Sequence, residues 1–433
     1  NDFIFTKASR DESGFALRVM ELFFEQKNFN VSIILNALDE LIAYNSANVA
    51  KVEQAYKLRA KCLSKLKRKK EERQNNISLA DYYLDFAEKT FQKDIQGAWR
   101  AVDFYQKGII LYRNNGKPEK ASAAQKRLIE IQKEIPKTMM PISIKLDIKG
   151  VVDNIKANIE GLSFEECVVR LIQMFGFEKQ EDIKNRVIKE FKDQPIPHLF
   201  GKNLINAQGQ TVLTLPPLDI HNPEKDSRLI ELHMYQNELE KQKFIGDVWI
   251  KNALNIIRDR FVIDKPMVEF LVKDNPIIPT GRERIFQSGV YMFFNGDYYE
   301  AIHILAPQVE NLFRAIAQGA GGITVTLEKD GTSMEKVLSS ILSLPELMDC
   351  YDNDILFIFR GLLNERAGAN IRNEIAHGII SESACSTGAC LYFGMAVIKL
   401  LSLTSSPYYQ ILKNSEKLKH FEIPSKDTLK IIR

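Results

Sequence analysis

The chain has 433 residues, 45% hydrophobic and 27% charged, with 59 Lys and Arg against 56 Asp and Glu and a formal net charge of +3. That length suits roughly two to four domains with ordinary cores and excludes a chain disordered throughout. The charge is too small to argue for a nucleic-acid partner by itself, because phosphate binding needs a concentrated basic patch.

Residues 1–138 carry helical spacing. Leu17, Met20, Leu22, Phe23 and Phe24 open an apolar face, and Val31, Ile34, Leu35, Leu38, Leu41 and Ile42 continue it. Further helices are expected over 80–87, 99–112 and 121–134, the last two joined by the turn Asn114-Asn-Gly-Lys-Pro118. Pairs of this kind, with Ala, Tyr and Leu at spaced positions, resemble a tetratricopeptide-like array, although the repeat is not clean. The segment reads as an interaction domain for a protein partner or trigger. Inside it lies a basic run, Arg59, Lys61, Lys65, Lys67 to Lys70 and Arg73. Such a run is either a solvated helix face or an RNA-facing stripe.

Pro136 to Pro141 brackets a linker, and residues 139–275 form a mostly helical middle domain. Ser163-Phe-Glu-Glu166 has the form of a capping box. Residues 203–216 read as a β-hairpin around Gln208-Gly-Gln210. Helices are expected from Lys225 to about Lys243 and from Ile245 to about Phe261. The second linker, Pro276-Ile-Ile-Pro-Thr-Gly281, opens the last domain, 276–433.

In that domain Glu283 to Phe294 is a helix, Asn295-Gly-Asp297 a turn with Asp297 as the next N-cap, and Tyr298 to about Gln318 a second helix that Pro307 should kink. A small β excursion follows at 323–332. Helices are then expected over 334–344 and 354–365, and a last long one from about Ser383 to Leu403. Between them, Asn370 can cap a brief helix through Arg372-Asn-Glu-Ile-Ala376, which His377-Gly378 ends. The fold class is therefore all-α.

The five cysteines, 62, 167, 350, 385 and 390, are scattered without Cys-x-x-Cys, so a reducing, cytoplasmic compartment is expected. No run of about 18 apolar residues predicts a membrane helix, and the visible N-terminus lacks a basic-then-apolar signal pattern. The six histidines have no metal-ligand spacing, and neither a phosphate-binding loop nor a Gly-x-Ser-x-Gly motif is present. No cofactor and no metal are expected.

Arg372, Asn373 and His377 match the pattern arginine, polar residue, and histidine a few positions on, within a helical bundle. That pattern resembles the HEPN superfamily of helical ribonucleases. The phrases Asn370-Ile-Arg-Asn-Glu-Ile-Ala-His-Gly378 and Asp297 to Arg314 resemble one branch especially, a domain named in animals after an endoplasmic-reticulum-associated RNA degradation protein. The likeness covers roughly 130 of the 433 residues, about 276–404. It implies a C-terminal HEPN bundle and RNA cleavage without metal, in which the 2′-hydroxyl attacks the adjacent phosphate and leaves a 2′,3′-cyclic phosphate. It further implies a homodimer joined through this domain, in a toxin or antiviral (phage) defence setting. Arg372 and His377 would be catalytic with Asn373, the histidine moving a proton and the arginine gripping phosphate. Glu310 and Arg314, one helical turn apart, would brace the motif. His303 on the same helix reads as structural. On one continuous helix Arg372 and His377 would stand about 140° apart, so the motif requires the helix to end near His377 or two copies to meet. The alternative is a HEPN fold without activity, serving as a dimerisation scaffold for a partner or nucleotide.

Overall fold

In the computed structural model the described residues are 15–26, 31–44, 47–93, 96–140, 145–206, 208–218 and 226–419. Pro141, Lys225, His221 and His420, which the sequence reading used, lie outside them. The chain divides into two compact units, residues 1–143 with 205–212, and residues 144–204 with 213–433. Both are mostly helical among the described residues.

The first unit is a run of helices in which each packs on the next: α1 (Phe15–Glu25), α2 (Val31–Tyr44), α3 (Val49–Lys65), α4 (Lys69–Lys93), α5 (Gly97–Asn114) and α6 (Pro118–Gln132). Asn48 caps α3 by accepting from the Lys51 amide. Pro118 starts α6 where no helical donor is needed. Buried Ala80, Ala87, Ala98, Ala101, Ala121 and Ala124 let α4, α5 and α6 approach closely. Tyrosines on α5 reach carboxylates on α4: Tyr112 donates to Asp81 at 2.6 Å, and Tyr105 donates to Glu88. Much of the basic run is occupied. Arg59 pairs with Asp39, Arg68 with Glu71, Lys65 donates to the Phe24 carbonyl and Arg73 to that of Asn115.

The second unit contains α7 (Lys149–Ile159), α8 (Phe164–Met174), α9 (Gln180–Asp193), α10 (Ser227–Ile245) and α11 (Lys251–Arg260). It continues with α12 (Glu283–Asn295), α13 (Tyr298–Gly319), α14 (Leu338–Ile341), α15 (Pro345–Cys350), α16 (Asn353–Leu363), α17 (Ile371–Ala376), α18 (Glu382–Cys385), α19 (Gly388–Ser402), α20 (Ser406–Asn414) and α21 (Glu416–Lys419). Strands β1 (Lys202–Ile205) and β2 (Thr211–Leu215) pair, as do β3 (Val325–Leu327) and β4 (Ser333–Glu335). The capping box is formed: Ser163 Oγ accepts from the Glu166 amide, and the Glu166 carboxylate accepts from the Ser163 amide.

Several elements depart from the sequence reading. Segments 139–275 and 276–433 share one continuous hydrophobic core that runs from Ile155 to Leu418. The stretch expected as a linker at 276–281 is stitched into it. Buried Asn275 donates to the carbonyls of Leu271 and Leu401, both at 2.8 Å, and accepts from Thr404 Oγ1 at 2.7 Å. The two helices expected over 225–261 form one continuous helical run, joined by a π-helical turn at Gly246–Ile250. The helix expected over 334–344 is instead strand β4 followed by short α14, because Met334 pairs with Thr326 across the Gly331 turn. The long helix expected from Ser383 to Leu403 breaks between α18 and α19. There the backbone of Gly388 presses on α10, and an added Cβ would lie 1.9 Å from the Lys243 carbonyl. Among the described residues, no single helix is long and apolar enough to cross a membrane. The most apolar, α19, is buried along almost its whole length.

Candidate functional site

The site is built on α13, α16 and α17. Helix α12 ends at Gly296, which takes the left-handed conformation (φ 98°) that releases the chain into α13. Asp297 occupies the N-cap position of α13, but its carboxylate accepts from Asn295 Nδ2 at 2.8 Å and caps no helix amide. Helix α13 then runs through Pro307 to Gly319 and buries Ala301, Ile302, Leu305, Val309, Leu312 and Phe313. Its polar side carries Tyr299, His303, Glu310 and Arg314.

Helix α17 is positioned by the loop before it. Gly368 meets Gly361 at the end of α16 so closely that a Cβ would lie 2.1 Å from the Gly361 carbonyl oxygen, and that carbonyl accepts from the Ala369 amide at 2.9 Å. Asn370 follows in the left-handed region (φ 54°), a conformation that asparagine tolerates better than most residues. Its side chain caps nothing, contrary to the sequence reading, and instead accepts from Asn373 Nδ2 at 2.7 Å. After Ala376 the helix closes in a Schellman arrangement. The Gly378 amide donates to Ile375 at 2.9 Å, the Ile379 amide to Glu374 at 2.8 Å, and Gly378 sits at φ 64°. The helix ends with His377 as its C-cap residue.

Arg372 lies against α13. Its Nε donates to Glu310 Oε2 at 2.5 Å and its Nη2 to Glu310 Oε1 at 3.3 Å. This is a two-point grip on one edge of the guanidinium. Its Nη1 makes one longer contact, 3.3 Å, with Asn373 Oδ1. Arg314 joins the same carboxylate through Nη2 at 3.3 Å. It also donates to Glu335 at 2.7 Å, to the Lys336 carbonyl at 2.8 Å and to the Thr324 carbonyl at 3.3 Å, which ties the β3–β4 hairpin to the network. Glu310 is 12% exposed and Arg372 32%, so the carboxylate is enclosed while the guanidinium still reaches solvent.

The structure therefore brings together Arg372, Asn373, Glu310 and Arg314. His377 stands outside that network: it is exposed, and its ring makes no hydrogen bond among the described residues. His303 lies on α13, with Nδ1 2.8 Å from the Tyr299 carbonyl and its ring stacked on Tyr299 at 4.2 Å. Sequence reasoning missed Glu335 and the hairpin carbonyls that hold Arg314. No signal in the chain paired a residue of the β excursion with that arginine.

Two other polar clusters are buried in the second unit. Burial and the neighbouring Glu178 push the Glu238 carboxyl well up. Burial also raises Glu178, but hydrogen bonds from Arg186 and Lys241 outweigh it and hold that carboxyl below its ordinary range. His198 and His233 are buried beside Phe191, their rings 5.8 Å apart; neither His198 ring nitrogen nor His233 Nε2 makes a hydrogen bond, although Glu190 approaches His198 Nε2 at 3.7 Å. Burial pushes His233 down to about 4 and lowers His198. Among the described residues no three His, Cys, Asp or Glu side chains are placed to hold a metal ion. The cysteines are free, and all but Cys350 are buried.

No family model, curated protein or solved structure matches the chain.

Proposed function

We propose that this chain is a metal-independent endoribonuclease of HEPN type, working as a cytoplasmic homodimer joined through its C-terminal helices. In this reading the RNA 2′-hydroxyl gives up its proton and its oxygen attacks the adjacent phosphorus. The bond to the 5′ oxygen breaks, and that oxygen takes a proton, leaving a 2′,3′-cyclic phosphate and a 5′-hydroxyl. The observation that carries the proposal is the division of labour on Arg372. Glu310 fixes the Nε/Nη2 edge of the guanidinium, and the Nη1/Nη2 edge keeps only one weak contact. A guanidinium fixed on one edge and open on the other is pre-organised to grip phosphate oxygens. His377, at the C-terminal end of α17, supplies an imidazole that can move a proton. One imidazole cannot both take and give a proton in the same step, which is why the second protomer belongs to the proposal.

The first unit would hold the partner or trigger that restrains the nuclease, as expected of a toxin or phage-defence effector. It offers a groove of about 540 Å³ lined by Glu53, Lys57, Lys61, Asn76, Tyr83 and Lys107 among others. One observation favours the rival reading of an inactive scaffold. The Glu310–Arg372 pair balances the arginine's charge by itself and needs no phosphate to explain it. The deciding experiment is cleavage of total and transfer RNA by the purified protein in EDTA, beside His377→Ala. Cleavage with 2′,3′-cyclic phosphate ends, absent in the variant, is expected. Intact RNA with the wild type, even after the native partner or a phage lysate is added, would make the scaffold the correct reading.

A further inference from the structure

Helix α13 carries more than the brace for Arg372. At about 100° per residue, Tyr299, His303, Glu310 and Arg314 fall within roughly 60° of one another around the helix. His303 lies about 10 Å along the axis from Glu310, at 1.5 Å per residue. The motif segment follows the same side: α17 packs on α13 where Arg372 meets Glu310, and α18 packs on α13 farther toward its start. Glu300 lies near enough to act on the Cys385 thiol at the end of α18. The turn bearing His377 links α17 to α18.

Those two side chains form a built surface. Tyr299 is 43% exposed, too open to serve the core. Its ring and that of His303 lie 4.2 Å apart with a 40° tilt. The 2.8 Å bond between His303 Nδ1 and the Tyr299 carbonyl orients the imidazole. Because a carbonyl only accepts, Nδ1 carries the proton and Nε2 of the neutral ring is left as an acceptor.

We infer that Tyr299 and His303 form a stacking platform for a nucleobase of single-stranded RNA, on the same side of α13 as the Arg372–Glu310 pair. The inference rests on the ribonuclease reading for the identity of the ligand. A base has a π-face for the rings and amino or imino protons for His303 Nε2. Stacking accepts every base, and a hydrogen bond to His303 Nε2 adds discrimination at the base edge.

The test is fluorescence anisotropy of the full chain with a labelled 2′-O-methyl oligoribonucleotide, which cannot be cleaved, while cleavage of unmodified RNA is assayed in parallel. Tyr299→Leu should weaken binding about 10-fold, the range expected for loss of one stacked base, and Tyr299→Phe should retain it. An oligonucleotide with abasic sites should bind wild type and Tyr299→Leu alike. His303→Ala should weaken binding and change the preference among bases. Tyr299 is exposed, so these variants should fold, as a thermal melt will check. Tyr299→Leu binding as tightly as wild type would overturn the platform, and the cleavage assay would still judge the nuclease separately. Tyr299-dependent binding without cleavage, even after the native partner or a phage lysate is added, would keep the platform and discard the nuclease. Wild type that cleaves RNA but shows no difference between normal and abasic oligonucleotides would also overturn the platform.

Discussion

Replacing Glu310 by Gln tests whether the arginine at the centre of the site is held as described. Arg314 has other acceptors, Glu335 at 2.7 Å and two carbonyls, so it survives the change. Arg372 keeps only the 3.3 Å contact to Asn373. The loss therefore falls on the Arg372 pair. A hydrogen bond to a charged group is worth about 1.5–3 kcal/mol, and a guanidinium one third exposed loses part of that to solvent. A coupling of about 1–2 kcal/mol between Glu310 and Arg372 follows. For Glu310 and Arg314, joined by one 3.3 Å bond, it should stay below about 0.5 kcal/mol. The assay is a double-mutant cycle of Glu310→Gln with Arg372→Met, and with Arg314→Met, by urea unfolding. The chain has two tryptophans, Trp99 in the first unit and Trp249 in the second, so a Trp99→Phe background lets fluorescence report on the second unit alone. RNA cleavage by Glu310→Gln should fall at least about 10-fold, chiefly in kcat, because Arg372 is no longer pre-organised. A coupling to Arg372 below about 0.3 kcal/mol would mean the pair does not form in solution, and the division of labour on the guanidinium would be refuted.

Acid should loosen the second unit. His233 is held at about 4, below its ordinary 6.5, so the unfolded chain binds a proton that the folded chain refuses. Its contribution is whole above pH 6.5 and is lost as pH falls toward 4, by at most about 3 kcal/mol; His233→Leu should flatten the decline in stability between those values. Glu238 acts in the opposite sense. Its carboxyl is raised, so its contribution is present below the ordinary carboxylate range and is lost as pH rises into the alkaline range. Glu238→Gln should therefore be more stable than wild type at pH 9, by about 1–2 kcal/mol, with the gap closing near pH 5; equal melting temperatures at both pH values would mean that Glu238 ionises normally. Gly394→Ala in α19 would place a methyl carbon 2.1 Å from the ring of buried Phe293. Overpacking costs about 1–3 kcal/mol and outweighs the helix-propensity gain, so urea midpoints should fall, and a stabilised variant would show that the ring has room to move.

The local elements of this protein were legible where the responsible interaction lies within a few residues. The capping box at Ser163 and Glu166 is one such case, since donor and acceptor are three positions apart. The stop at His377-Gly378 is another, because glycine is the residue that adopts the left-handed turn without penalty. The apolar stripe of α13 fixed its buried side, and with it the opposite side that carries Tyr299, His303, Glu310 and Arg314. Only the tertiary structure decided what lies opposite that stripe. Arg372 and Glu310 stand 62 positions apart, and a helical pattern says which side a carboxylate faces without saying which arginine arrives there. The same reason underlies the single core across residue 276 and the break at Gly388. Each depends on a backbone or side chain from a distant segment, Leu401 and Thr404 on Asn275 in one case and Lys243 against Gly388 in the other. Periodicity and capping are short-range physics that a sequence carries along its length, whereas pairing across the core is set by how the helices pack together.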